Sequence, residues 1–190
     1  MKILTILGSP RPGGNSEVLL DAVSKGVELA GGEVETIRLS KRWIQPCLNC
    51  GGCDKTGECV LEDDMANIYD SLWTARRIIL ASPIYFYGVT AQTKAFIDRC
   101  QALWSRKRLL REKGEWQDDL GRKGFFVSVA ATRGQRVFDG AILTVRYGFD
   151  AMGIHYSDAF FVRGIDELGA MNRHPDQLKA AEEFGRQVLA

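Results

Sequence analysis

The chain lacks the long apolar stretch of about 20 residues that a membrane span requires. Its opening, MKILTILGSPRPGG, breaks at Gly and Pro after a short apolar run, too short for a secretory signal. A soluble, cytoplasmic protein is the expectation. Basic excess is also missing, since 25 Lys and Arg face 24 Asp and Glu for a net charge of +1. Without such an excess, or an aromatic and basic stripe, nucleic acid is not an expected partner. There is no internal repeat and no low-complexity linker. Histidine is nearly absent: His155 opens a strand pattern and His174 precedes Pro175, both remote from any cysteine in sequence and read as structural.

Cysteine is scarce except in one place. Of five, four lie within PCLNCGGCDKTGEC, at Cys47, Cys50, Cys53 and Cys59. Cytosolic thiols are kept reduced, so such a cluster holds metal or does redox chemistry more often than it forms disulfides. Zinc sites usually pair two short knuckles across a longer stretch. Three thiolates at two-residue gaps fit a cuboidal cluster better, and bacterial ferredoxin runs also begin C-x2-C-x2-C. Zinc and disulfides remain alternatives on spacing alone. The fifth, Cys100, falls on or near the apolar face of a helical pattern and reads as a packed core or interface residue.

The length of 190 residues and 45% hydrophobic content suit one domain, residues 1–190, with the four-cysteine loop inserted at about 41–63. Apolar runs at 2–7, 33–39, 77–82, 124–130 and 154–162 predict five strands, and helical spacing predicts helices over 15–32, 64–75, 90–104, 137–153 and 175–189. The first helix is expected to be capped near Asn15 or Ser16, and Asp63 and Asp64 to start the second. Alternation of strands and helices argues for an α/β fold, a parallel sheet with helices on both faces. The charge-rich stretch 106–124 reads as a solvated helix end followed by a loop, rather than a docking site for an acidic ferredoxin.

In such sheets ligands bind beyond the carboxyl ends of the strands, where strand order reverses. The loop after strand one, GSPRPGGNS (8–16), offers Ser9, Asn15 and Ser16 beside free N–H groups at a helix start, with Arg11 as a charged contact. It lacks both the Gly-Lys-Ser/Thr ending of a nucleoside-triphosphate loop and the dinucleotide spacing, which leaves a phosphomonoester. After strand three, SPIYFYGVTAQTK gives Pro83, Ile84, Tyr85, Phe86, Tyr87 and Gly88 as a seat for a flat heterocycle. The loop AATRGQ, with Ala131, Thr132 and Gly134, follows strand four at the same edge.

Together these loops resemble the FMN site of the flavodoxin-like NADPH-dependent FMN reductases, and the compact four-cysteine motif after strand two is similar to that of the iron–sulfur flavoprotein family. The resemblance implies a flavodoxin-like sheet ordered 2-1-3-4-5. It places the FMN phosphate at Ser9, Arg11, Asn15 and Ser16, and the isoalloxazine near Pro83 to Gly88 and 131–134. It also implies a [4Fe–4S] cluster on Cys47, Cys50, Cys53 and Cys59. The activity implied is flavin-centred electron transfer that couples one-electron carriers such as ferredoxin to two-electron flavin chemistry, with no dedicated acid–base residue. The electron donor would be ferredoxin or NAD(P)H and the acceptor a small molecule. A plain FMN-dependent NAD(P)H oxidoreductase, acting on quinones or other small acceptors with its cysteines binding zinc or empty, is the alternative. In that family the helix holding KAFIDR often lies at a subunit interface, so a homodimer or homotetramer is expected. The cysteine loop is expected at the same sheet edge as the flavin but lateral to the switch point, which suggests that a cluster would serve the flavin of a neighbouring subunit.

Overall fold

A computed structural model describes residues 1–117 and 121–190. Residues 118–120 of the charge-rich stretch lie outside the described residues.

Five strands, β1 (Lys2–Leu7), β2 (Glu33–Arg38), β3 (Arg77–Pro83), β4 (Lys123–Ala130) and β5 (His155–Arg163), form one sheet in the order β2-β1-β3-β4-β5, all parallel. This is the order the resemblance implied. Among the described residues six α-helices connect or follow them: α1 (Asn15–Leu29), α2 (Tyr69–Thr74), α3 (Ala91–Arg99), α4 (Gln101–Glu112), α5 (Asp139–Ala151) and α6 (Pro175–Gln187).

The period-2 alternation of each strand divides the core in two. Ile3, Leu7, Ile79, Phe125 and Val127 point to one face, where Leu19, Val23 and Val27 of α1 and Ala181 and Phe184 of α6 cover them. Leu4, Ile6, Ile78, Leu80 and Phe126 point to the other, under Met65, Leu72, Phe96, Val145 and Phe149. Helices α1 and α6 cross at paired glycines. A β-carbon on Gly26 would fall 1.9 Å from the Glu182 carbonyl, and one on Gly185 2.0 Å from that of Val23, so the crossing needs bare backbone on both sides.

Several boundaries differ from expectation. The first helix begins at Asn15 with Gly14 as its N-cap and no side-chain cap, because the Asn15 amide is engaged elsewhere. Residues 64–67 form a 3-10 turn before the short α2, and Asp63 does cap that turn, accepting from the Met65 N–H. The helix predicted over 90–104 is two, α3 and α4, meeting at the buried Cys100. Among the described residues no helix is long and apolar enough to cross a membrane.

Candidate functional site

The loops after β1, β3, β4 and β5 meet at the carboxyl edge of the sheet, where the order reverses between β1 and β3. Ser9, Arg11, Gly14, Asn15, Ser16, Pro83, Ile84, Tyr85 and Ala131 line one small cavity there of about 100 Å³. Ile84, Phe86, Tyr87, Ala131 and Thr132 line an adjoining one of about 210 Å³, with Ala130 and Val137 at its base. Of the remaining predicted residues, Gly88 closes the turn opposite Tyr85, and Gly134 faces the Tyr87 hydroxyl.

A relay of buried hydroxyls holds the first two loops together. Thr90 caps α3, accepting from the Thr93 N–H, and donates to the Gly8 carbonyl at 2.6 Å. Ser82 accepts from the Thr90 N–H at 3.2 Å, and Ser128 donates to the Ser82 carbonyl at 2.7 Å. All four hydroxyl residues are fully buried, so the relay fixes the loop positions relative to the sheet.

The phosphate-type turn is shaped by its own side chains. The Arg11 N–H donates to Ser9 Oγ at 3.3 Å, folding the turn back on itself. Glu17, in the first turn of α1, accepts from the Gly13 N–H at 2.8 Å and pairs with Arg38, so its charge is compensated. Asn15 is oriented differently from the sequence expectation. Its Nδ2 donates to the Glu167 carbonyl at 2.8 Å and its Oδ1 accepts from the Met171 N–H at 3.0 Å. The side chain thus ties α1 to the segment after β5, so only the backbone N–H of Asn15 is left to serve the helix start.

The turn after β3 is strained. Tyr85 and Gly88 exchange backbone hydrogen bonds, each at 2.9 Å, while Phe86 and Tyr87 between them adopt φ of 49° and 63°. Both central residues of this tight turn are left-handed, a conformation that favours Gly or Asn. Phe86 is wholly exposed. Phe86 and Tyr87 thus carry backbone strain on the rim of a cavity.

Reasoning from sequence missed the segment after β5, whose Ile165, Asp166 and Leu168 complete the first cavity. Its position after the last strand, at the same edge, was the available signal.

The cysteine loop follows β2 and packs against the junction of α3 and α4. Cys47, Cys50, Cys53 and Cys59 line a cavity of about 40 Å³ whose other walls include Arg99, Gln101 and Ala102, at the junction of α3 and α4. The hydroxyl relay holds the start of α3, and Arg99 ends it, nine residues or about 13 Å away. The thiol cavity thus lies at the opposite end of α3 from the hydroxyl relay. None of the five cysteines is in a disulfide. Among the described residues no three Cys, His, Asp or Glu side chains converge as ligands of a single metal ion.

Two of these sulfurs accept hydrogen bonds. The Asn49 N–H donates to Cys47 Sγ and the Ser105 hydroxyl to Cys53 Sγ, each at 3.5 Å. Arg99 forms a wholly buried ion pair with Asp63, Nη1 donating to Oδ2 at 2.5 Å and Nη2 to Oδ1 at 3.1 Å. Burial alone would push the Asp63 carboxyl up, but Arg99 and the N–H groups of Gln45 and Met65 hold it below the usual carboxylate range. The Tyr69 hydroxyl donates to the Arg99 carbonyl at 2.9 Å, and burial together with the nearby Cys59 raises its pKa. Cys100 is apart from this group, fully buried, donating to the Phe96 carbonyl, its thiol pushed up by burial. His155 is exposed on a separate cavity of about 610 Å³ at the start of β5, and His174 is exposed before α6.

The family model for NADPH-dependent FMN reductase matches residues 1–152. An iron–sulfur flavoprotein of Archaeoglobus fulgidus is 48% identical over 99 residues, 52% of this chain and 45% of that protein. A second iron–sulfur flavoprotein of the same organism is 35% identical over 144 residues, 75% of this chain and 69% of the other. The chain thus spans about half the length of the first of these relatives and about two thirds of the second. Among solved structures, an NAD(P)H:quinone oxidoreductase from Methanothermobacter marburgensis superposes with a TM-score of 0.71 at 15% identity, covering 100% of this chain and 98% of that one.

Proposed function

The chain belongs to the NADPH-dependent FMN reductase family and, within it, to the iron–sulfur flavoproteins; from this premise we propose that it is a single-domain, FMN-dependent oxidoreductase whose four-cysteine loop holds a [4Fe–4S] cluster. Its activity would couple a one-electron carrier such as ferredoxin, or NAD(P)H, to two-electron reduction of a small acceptor.

For FMN, the fit rests on the turn after β1. Ser9 and Ser16 supply buried hydroxyls, Arg11 a cation, and the start of the 15-residue α1 its unbonded N–H groups. Glu17 would repel a phosphate were it not held by Arg38 and the Gly13 N–H. Phe86 and Tyr87 of the strained turn, with Thr132, line the adjoining cavity and would meet a flat ring beside the phosphate. Asn15 contributes its backbone and, through its side chain, the position of the Ile165–Leu168 wall.

For the cluster, the observation that carries the reading is four reduced thiols lining one cavity, with N–H and O–H donors already directed at two of them. A structural zinc site usually draws its ligands from two short knuckles separated by a longer stretch, unlike the C-x2-C-x2-C-x5-C spacing here. A [4Fe–4S] group takes one thiolate at each iron and suits ligands held apart. When bound, FMN exchanges one or two electrons and the cluster one, so the pair supplies the interconversion of the two. The chain's residues bind, orient and shield these groups, with no side chain placed as an acid or base. A homodimer or homotetramer is part of the proposal, and would bring the thiol cavity of one chain toward the flavin edge of another.

Stopped-flow reduction of the FMN-loaded protein tests the reading. Bleaching of the flavin by NADPH, NADH or reduced ferredoxin, followed by reoxidation with a quinone, is expected. A flavin that none of the three reduces would contradict it.

A further inference from the structure

Arg99 is a buried cation at an unusual place, the end of α3 against the thiol cavity. Its side chain has no solvent exposure. Both terminal nitrogens are occupied, Nη1 by Asp63 and the Gln45 carbonyl at 3.0 Å and Nη2 by Asp63. The Nε–H, by contrast, is buried without any acceptor. A bare charged donor in the interior carries a full desolvation penalty, and natural structures leave few of them. The acceptor such a donor suits is an anion that enters this cavity. Cys59 is among the loop sulfurs that line the same cavity as Arg99.

We propose that Arg99 is a positioning residue for the iron–sulfur group: Asp63 and Gln45 lock its fork so that Nε–H donates to a sulfur of the bound cluster at or beside Cys59. The proposal rests on the four-cysteine loop holding such a cluster. Asp63 offsets the charge of Arg99, so the effect on the cluster comes from the directed hydrogen bond more than from net charge. Donation to a cluster sulfur favours the more negative, reduced state and raises the reduction potential. Lysine at this position keeps the charge and pairs with Asp63 as a point cation, but it has no second donor held at a fixed angle.

The test uses full-length protein prepared without oxygen and reconstituted with ferrous iron and sulfide, as wild type and as Arg99→Lys. Iron, sulfide and FMN are assayed, and the cluster potential is measured by redox titration with electron paramagnetic resonance. The expected result is a midpoint potential more negative in Arg99→Lys at equal iron and FMN content. Equal potentials in two cluster-loaded proteins would overturn the role of Arg99 alone. A wild type that takes up neither iron nor sulfide would overturn the cluster reading and this proposal with it. Should Arg99→Lys fail to hold a cluster, wild type labelled with 15N-arginine decides: an arginine nitrogen coupled to the reduced cluster in pulsed resonance supports the proposal, and its absence overturns it.

Discussion

The Thr93 hydroxyl occupies the space a side chain on Gly8 would need, Oγ1 standing 1.9 Å from the position of such a β-carbon. Through Thr90 the same hydroxyl pair anchors the Gly8 carbonyl, so the turn after β1 is positioned by α3 as well as by its own backbone. Gly8→Ala is expected to displace Thr93 and destabilise the fold by about 1–3 kcal/mol, the usual range for an overpacked core. Adding Thr93→Ala should recover part of that loss. Urea unfolding of the two single variants and the double variant checks it; purely additive losses would show that Gly8 and Thr93 do not compete for the same space.

Ser16 and Asn15 are neighbours with different tasks, and their alanine variants should separate. Ser16→Ala is expected to weaken FMN binding by about 1.5–3 kcal/mol, the worth of a hydrogen bond to a charged group, with little change in Tm. Asn15→Ala removes the links to Glu167 and Met171, so it should lower stability by about 1 kcal/mol for each lost bond and loosen residues 165–171. Flavin fluorescence titration and amide exchange read the two effects. Matching losses of FMN affinity with unchanged exchange would contradict the division.

Phe86 has a left-handed backbone and no burial to offset it. Phe86→Gly should therefore raise stability by about 1 kcal/mol, the cost of the strained conformation, while lowering turnover with NAD(P)H because an aromatic rim is lost. A thermal melt combined with a reductase assay measures both, and a destabilised variant would show that Phe86 packs against something in the working protein.

Asp63 gives the fold a pH signature. Its folded carboxyl is held below the ordinary value, so between the two the unfolded chain binds more protons than the native one. The stability it contributes is present above an unfolded pKa of about 3.9 and is lost as pH falls through the lower, folded value. Asp63→Ala strips the partner from a buried Arg99 and is expected to cost about 3–5 kcal/mol. Denaturant titrations from neutral to acid pH should show the wild type losing stability below pH about 4, with the variant less stable throughout and flatter in that range.

Much of this architecture is legible in the sequence because it depends on local pattern. The strands alternate with helices at clear spacing, and the turn at 8–16 reads as an anion seat from its glycines and hydroxyls. What the sequence conceals depends on tertiary pairing. Asn15 looks like an anion ligand until Glu167 and Met171, about 150 positions away, claim its amide. Asp63 is readable as a helix-start residue, which it is, but not as the partner of Arg99. The available signal lay in the helical pattern over 90–104: Phe96, Arg99 and Leu103 fall at helical spacing and are all buried, and a cation on such a stripe implies a buried counter-ion. The break at Cys100 and the reach of the cysteine loop to the far end of α3 follow from packing that no residue spacing records.

The central claim is that one chain holds both a flavin and a cluster on four thiolates, and cofactor analysis of protein purified without oxygen tests it most directly. About four irons and four sulfides with one FMN per chain is the result expected for a [4Fe–4S] flavoprotein. FMN accompanied by zinc, or by no metal and sulfide at all, would contradict it and leave a plain FMN reductase.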